Sequence, residues 1–274
     1  MKTLEKSTQS TPSPWTGMVQ VDDTALYVTD TGGPGPTIIY LNGSYGTQRD
    51  WRPVIAELGP DWRHISYDER ARGRRSKRSA DYSFESCVRD LNAVIKATGA
   101  ERPLLVGWSY GAYVAVHWAD RNPGCAGVVA VDSAVPWGLT GKKNRDRIRH
   151  LFRKMRLLFP LASLLGLTAR MTADQHADIN IEINEVAAAS EPVLLRLTCP
   201  VLYVLATDGS LGGEKEEMEE MRASLNPLLA RNPNLKVSAK VASNHTQILR
   251  KDFRAVAKAV RELATIVYGQ KNPS

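Results

Sequence analysis

The sequence predicts an α/β fold class: a mostly parallel, eight-stranded sheet with helices on both faces. Three observations carry this. Short β-rich runs alternate with helical stretches along the chain, as in strands joined by crossover helices. The inner runs, TIIYL at 37–41, PLLVG at 103–107, GVVAVD at 127–132 and PVLYVLA at 200–206, are almost continuously apolar, the pattern of strands covered on both sides. The 274 residues, 43% hydrophobic and 24% charged, are enough to bury one large core.

Residues 1–16 are rich in Ser, Thr and Pro and read as a disordered tail. They lack the apolar stretch of a signal peptide. Residues 18–22 and 24–30, split by Asp22-Asp23, read as a hairpin. Further strands are expected at 37–41, 63–67, 103–107, 127–132, 200–206 and 235–241, with helices near 48–58, 83–98, 110–121, 214–230 and 247–267. The last helix keeps the 3.6 period through Ile248, Phe253, Val256, Val260, Leu263 and Val267. One interval breaks the rhythm: about 65 residues, Ala134 to Thr198, separate the sixth strand from the seventh, too many for a structureless loop. They look helical, so 134–198 is expected to be a helical cap inserted after strand 6, with the core at 17–133 and 199–274.

Composition excludes collagen-like, disulfide-scaffold and wholly disordered classes. No apolar run reaches the ~18 residues of a membrane span. Cys87, Cys125 and Cys199 form no C-x-x-C pair, so small buried thiols in a reducing, cytoplasmic setting are expected. No metal-ligand cluster and no Gly-rich phosphate loop is visible.

The chemistry gathers at Gly107-Trp108-Ser109-Tyr110-Gly111, a G-x-S-x-G between the strand PLLV and the helix AYVAVHWAD. A serine raised on a sharp strand-to-helix turn leaves no room for side chains two positions either side. The helix N-terminus behind it favours developing negative charge.

In this setting the chain resembles the α/β-hydrolase fold family over roughly residues 18–268. Leu41-Asn42-Gly43-Ser44-Tyr45-Gly46 occupies the place of that family's His-Gly oxyanion loop, with Asn42 where His is usual. The resemblance implies an oxyanion hole from the backbone N–H groups of Ser44 and Tyr110. Tyr67-Asp68-Glu69-Arg70-Ala71-Arg72-Gly73 resembles a structural turn after the fourth strand, with Ala71 and Arg72 replacing Gly and His. By the family's order Ser, acid, His, the acid falls on Asp208 and the base on His245. Asp132, one strand earlier, is the alternative acid, since some members draw theirs from that position; it is commonly just the aspartate closing the strand. His64, His117, His150 and His176 lack the right loop setting.

The resemblance then implies a serine hydrolase that needs no metal or organic cofactor. Ser109 attacks an acyl carbon, His245 takes its proton and Asp208 orients the imidazole. A serine in place of an aspartate nucleophile disfavours dehalogenase and epoxide-hydrolase chemistry. The expected partner is a small or medium, mostly apolar ester, lactone or thioester. A proline-type aminopeptidase using Glu182 or Glu185, a cofactor-free perhydrolase and a slow-hydrolysing receptor stand as alternatives. Tyr45, Trp137 and Phe152 are candidate substrate contacts, with core packing as the competing reading.

The net charge of +7 localises. Lys142 to Arg156 holds eight basic residues and one acid, a surplus equal to that of the whole chain. Ile148, Leu151, Phe152, Met155, Leu158 and Phe159 fall on one helical face, suggesting an apolar ceiling over the pocket. A solvated charged back is preferred to a membrane-surface contact. Arg70 to Arg78, six basic residues in nine, reads as an exposed loop and not a nucleic-acid site, because no aromatic platform interleaves it. Glu214 to Glu220 reads as a solvated helix start.

Overall fold

The computed structural model describes residues 12–165, 168–209 and 215–269. Eight strands form one sheet: β1 (Trp15–Val21), β2 (Thr24–Asp30), β3 (Thr37–Leu41), β4 (Arg63–Asp68), β5 (Leu104–Trp108), β6 (Gly127–Val131), β7 (Val201–Ala206) and β8 (Leu235–Val241). Their order is β1-β2-β4-β3-β5-β6-β7-β8. β2 runs antiparallel to both β1 and β4, and every pairing from β4 onward is parallel. The expected α/β class is therefore observed.

Alternate residues of the parallel strands feed two cores. Ile39, Leu41, Leu105 and Val128 face one side, where α2 (Phe84–Thr98) and α3 (Tyr110–Arg121) pack. Ile38, Tyr40, Leu104, Val106 and Val129 face the other, against α1 (Arg52–Leu58) and α11 (Phe253–Tyr268). Two covered faces explain why these strands read as unbroken apolar runs.

Between β6 and β7 lie α4 (Lys142–Lys154), α5 (Phe159–Leu164), α6 (Ala173–Ala188) and α7 (Glu191–Arg196). Ile148, Phe152, Phe159, Ala177 and Ile181 make a small separate apolar cluster among them. Leu194 of α7 is fully buried in the main core. After β7 come α8 (Lys215–Ala223) and α9 (Asn226–Arg231), and after β8 the short α10 (Ile248–Lys251). Among the described residues no helix is long and apolar enough to cross a membrane.

Several boundaries differ from expectation. β1 begins at Trp15, so the last two residues assigned to the tail pair with Asp30 and Thr29; residues 1–11 lie outside the described residues. The helix expected over 214–230 is two, broken where Pro227 enters at the start of α9, since Pro supplies no N–H to continue a helix. Its first residue, Glu214, lies outside the described residues. The apolar face expected from Ile148 to Phe159 is divided: α4 ends at Lys154, so Ile148, Phe152 and Phe159 are buried while Leu151, Met155 and Leu158 face solvent. Arg70 and Arg72 are not loop surface but buried, Arg70 against Asp90 and Asp22, Arg72 against Glu69.

Candidate active site

Ser109 sits between the end of β5 and the start of α3 with φ 54° and ψ −119°, a conformation an L-residue adopts only when its surroundings impose it. Its neighbours show why both glycines are needed. A Cβ on Gly107 would lie 2.5 Å from the carbonyl oxygen of Gly111, and one on Gly111 would lie 2.4 Å from that of Leu41. Ser109 N–H donates to the Val131 carbonyl at 3.2 Å, tying the turn to β6.

His245 reaches the serine from the loop after β8, with Nε2 2.9 Å from Ser109 Oγ. Its Nδ1 lies 2.9 Å from Asp132 Oδ2. A carboxylate only accepts, so Nδ1 carries the proton and Nε2 is left to receive that of Ser109. Trp108 steadies His245, its Nε1–H donating to the His245 carbonyl at 3.1 Å.

The acid expected at Asp208 is corrected by this geometry. Asp208 is exposed at the end of β7, and its Oδ1 accepts from the N–H of Gly209 at 2.8 Å. The sheet order gives the physical reason. β6 lies directly beside β5, whereas β7 is one strand further out, and each strand step is ~4.8 Å. Asp132, following β6, is fully buried with φ 48°. Besides His245 it accepts from Ala206 N–H at 2.9 Å.

Arg222, which sequence reasoning missed, grips the same carboxylate. Its Nε donates to Oδ1 and its Nη2 to Oδ2, both at 3.0 Å. Burial pushes the Asp132 carboxyl up, but the bonds from His245 and Arg222 outweigh it and hold the group below the usual aspartate value. Arg222 lies ninety positions away on α8, and no local sequence pattern points to it.

Asn42 anchors the loop beside the serine. Its Nδ2 donates to the Tyr67 carbonyl at 2.7 Å and to Glu69 Oε2 at 2.8 Å, while its Oδ1 accepts from Trp51 Nε1 at 2.9 Å. Glu69 Oε1 accepts from the Asn42 N–H, and Arg72 Nη1 donates to the Gly43 carbonyl at 2.7 Å. The Asn42 amide thus supports this loop, and Glu69 and Arg72 join it. Burial pushes Glu69 up to about 7 despite Arg72 and Asn42. A Cβ on Gly43 would meet Ser109 Cβ at 3.3 Å, so this loop passes directly against Ser109. Ser44 follows it in the loop, and Tyr110 is the first residue of α3.

The other candidates fall as follows. Tyr45 is 45% exposed, its ring 5.9 Å from that of His176. Trp137 packs half-buried against the main core. Phe152 is buried among the inter-strand helices, stacked on Phe159, which its core-packing reading anticipates. Trp51 is an anchor for Asn42. His64 is held by Tyr40 Oη and the Gly59 carbonyl, and His117 lies edge-on to Phe84. Glu182 accepts from the Phe84 N–H, and Glu185 pairs with Arg145 at 2.5 Å, so both carboxylates suggested for binding a substrate amine are engaged. Among the described residues no group of three His, Cys, Asp or Glu side chains is arranged to hold a metal ion.

A model of the alpha/beta hydrolase fold family matches residues 36–192. A haloalkane dehalogenase of Mesorhizobium japonicum is 35% identical over 103 residues, which are 38% of this chain and 33% of that protein. An epoxide hydrolase B of Mycobacterium tuberculosis is 35% identical over 111 residues, 39% of this chain and 31% of that protein. The chain is thus matched to about a third of the length of these curated relatives. In architecture it is similar to a thermophilic esterase from Thermogutta terrifontis, with a TM-score of 0.68 at 20% identity, over 93% of this chain and 99% of that one.

Proposed function

The chain belongs to the alpha/beta hydrolase fold family, and from that premise we propose that it is a serine hydrolase cleaving a carboxylic ester, lactone or thioester. The observation that carries this is the unbroken line from Ser109 Oγ through His245 to the buried Asp132, with 2.9 Å at each step. Ser109 Oγ attacks the acyl carbon while its proton passes to His245 Nε2; Asp132 holds the tautomer and steadies the imidazolium. The backbone N–H groups of Ser44 and Tyr110 receive the oxyanion, a contribution worth ~10²–10³ in rate per donor. His245 returns the proton to the leaving alcohol, and then deprotonates the water that releases the acid.

The nucleophile selects among family chemistries. Displacement of a halide or opening of an epoxide by a serine oxygen would leave an ether, which water and a histidine do not cleave. Acyl transfer leaves an ester, which they do. An amine-anchoring peptidase site is less favoured because Glu182 and Glu185 are already partnered. The helices over 134–198 form, in this reading, a cap above the site, with Tyr45 and Trp137 as substrate contacts. Three free cysteines fit a cytoplasmic setting.

Turnover of a panel of p-nitrophenyl esters and lactones tests the assignment, with a fluorophosphonate to label the serine. Ser109→Ala is expected to lose more than ~10³-fold in kcat and all labelling. Full turnover by the variant would overturn the proposal.

A further inference from the structure

A second concavity opens away from the serine. It is a groove of about 630 Å³, within the ~300–1,000 Å³ typical of small-molecule sites. Its floor is the side of β2 that faces away from the main core: Leu26 and Val28 point inward and are fully buried, whereas Tyr27 and Thr29 are half-exposed. Ser66 of β4 and Thr31 extend the hydroxyl-bearing surface. Four arginines line the groove: Arg49 and Arg52, around the start of α1, and Arg74 and Arg75, from the loop after β4.

Their charge is gathered at one hollow. Arg63, Arg121, Arg196 and Arg222 each meet a carboxylate, yet among the described residues none of these four is ion-paired. The single acid lining the groove, Asp68, already accepts from Gln48 through its backbone N–H at 2.9 Å and its side-chain amide at 3.3 Å. Arg75 is preset, its guanidinium 4.4 Å above the Tyr27 ring and bonded to the Tyr27 hydroxyl. Four like charges around one hollow concentrate a positive potential that an anion relieves, and guanidinium forks match phosphate oxygens.

We propose that this groove binds a phosphate monoester, the phosphate held by Arg49, Arg74 and Arg75 and a polar remainder by the Thr29, Thr31 and Ser66 hydroxyls. The site is independent of the esterase reading, since Ser109, His245 and Asp132 do not line it. It nonetheless adjoins the catalytic loops: Thr47 and Gln48 directly follow the oxyanion loop, and Asp68 precedes Glu69. A soluble sugar phosphate and a lipid headgroup present the same group.

Calorimetric titration with glucose 6-phosphate, and sedimentation with vesicles containing phosphatidic acid, test both sources. Saturable binding of either is expected, unchanged in Ser109→Ala, weakened at least tenfold in Arg49→Gln/Arg74→Gln, and unchanged in the inter-strand control Arg149→Gln/Arg153→Gln. If the double variant does not fold, Arg74→Gln alone, on an exposed loop, is expected to weaken binding severalfold. No saturable binding of either ligand, or equal binding by the arginine variants, would overturn the proposal.

Discussion

Asp132 and Asp208 both close an apolar strand, and at the level of single residues they could hardly be more alike in sequence. Their surroundings separate them. Asp132 is buried and accepts from His245, Ala206 and Arg222, whereas Asp208 is exposed. Asp132→Asn is therefore expected to lower kcat by ~10³–10⁴, since the amide favours the wrong tautomer, while Asp208→Asn stays within about twofold. Ester turnover of the two variants decides this directly. Arg222 has a subtler role: it holds both oxygens of that carboxylate in place beside His245. Arg222→Met is expected to lower kcat about tenfold with KM nearly unchanged. An unaltered kcat in steady-state ester turnover would show that Arg222 does not position the acid. The acid was ambiguous in sequence because its choice depends on sheet order and on an arginine ninety positions away.

Elements were legible where one physical cause acts alone. The parallel strands announce themselves because both faces are covered, and the elbow because glycine alone fits at 107 and 111. The start of β1 was obscure, since Trp15 and Thr16 lie in a Ser/Thr/Pro-rich stretch and gain their strand character from pairing with β2. The helical insertion was legible as helical by its length, but which of its leucines are buried was not, because that depends on where α4 stops. The loop at 41–46 showed its place but not its clamp. Asn42, Glu69 and Arg72 join two loops through buried bonds, and this clamp titrates. Glu69 holds its proton up to about 7 in the fold, against an ordinary glutamate value of 4.5. The folded chain then binds more protons than the unfolded one between those values, so the sign is a loss of stability as pH rises through that window. The loss is on the order of 3 kcal/mol. Glu69→Gln removes the titration, and denaturant melts at pH 4.5, 6 and 7.5 should show its stability lacking that fall. A parallel pH dependence in both proteins would refute the assignment.

On the scale of the molecule, the basic stretch 142–156 is largely answered by acids facing it. Arg145 pairs with Glu185, Arg149 with Asp178, Arg153 with Asp174 and Arg147 with Glu217. All are exposed or partly exposed pairs, each worth little and screened by salt. Raising NaCl from about 0.05 to about 0.5 M is accordingly expected to lower Tm by no more than ~3 °C. A calorimetric fall several times larger would mean that these pairs, and not the apolar cluster of Ile148, Phe152 and Phe159, hold the insertion together. The placing of the acid on β6 has a consequence for how the machine is assembled in time. Ser109 and Asp132 follow neighbouring strands ahead of the helices between β6 and β7, whereas Ala206, Arg222 and His245, which all bond Asp132, come after those helices. The Ser109–His245–Asp132 line therefore closes only when β7, α8 and the loop after β8 have packed beside β6. Under the proposed mechanism, turnover depends on this long-range closure and not on the local turn around Ser109 alone.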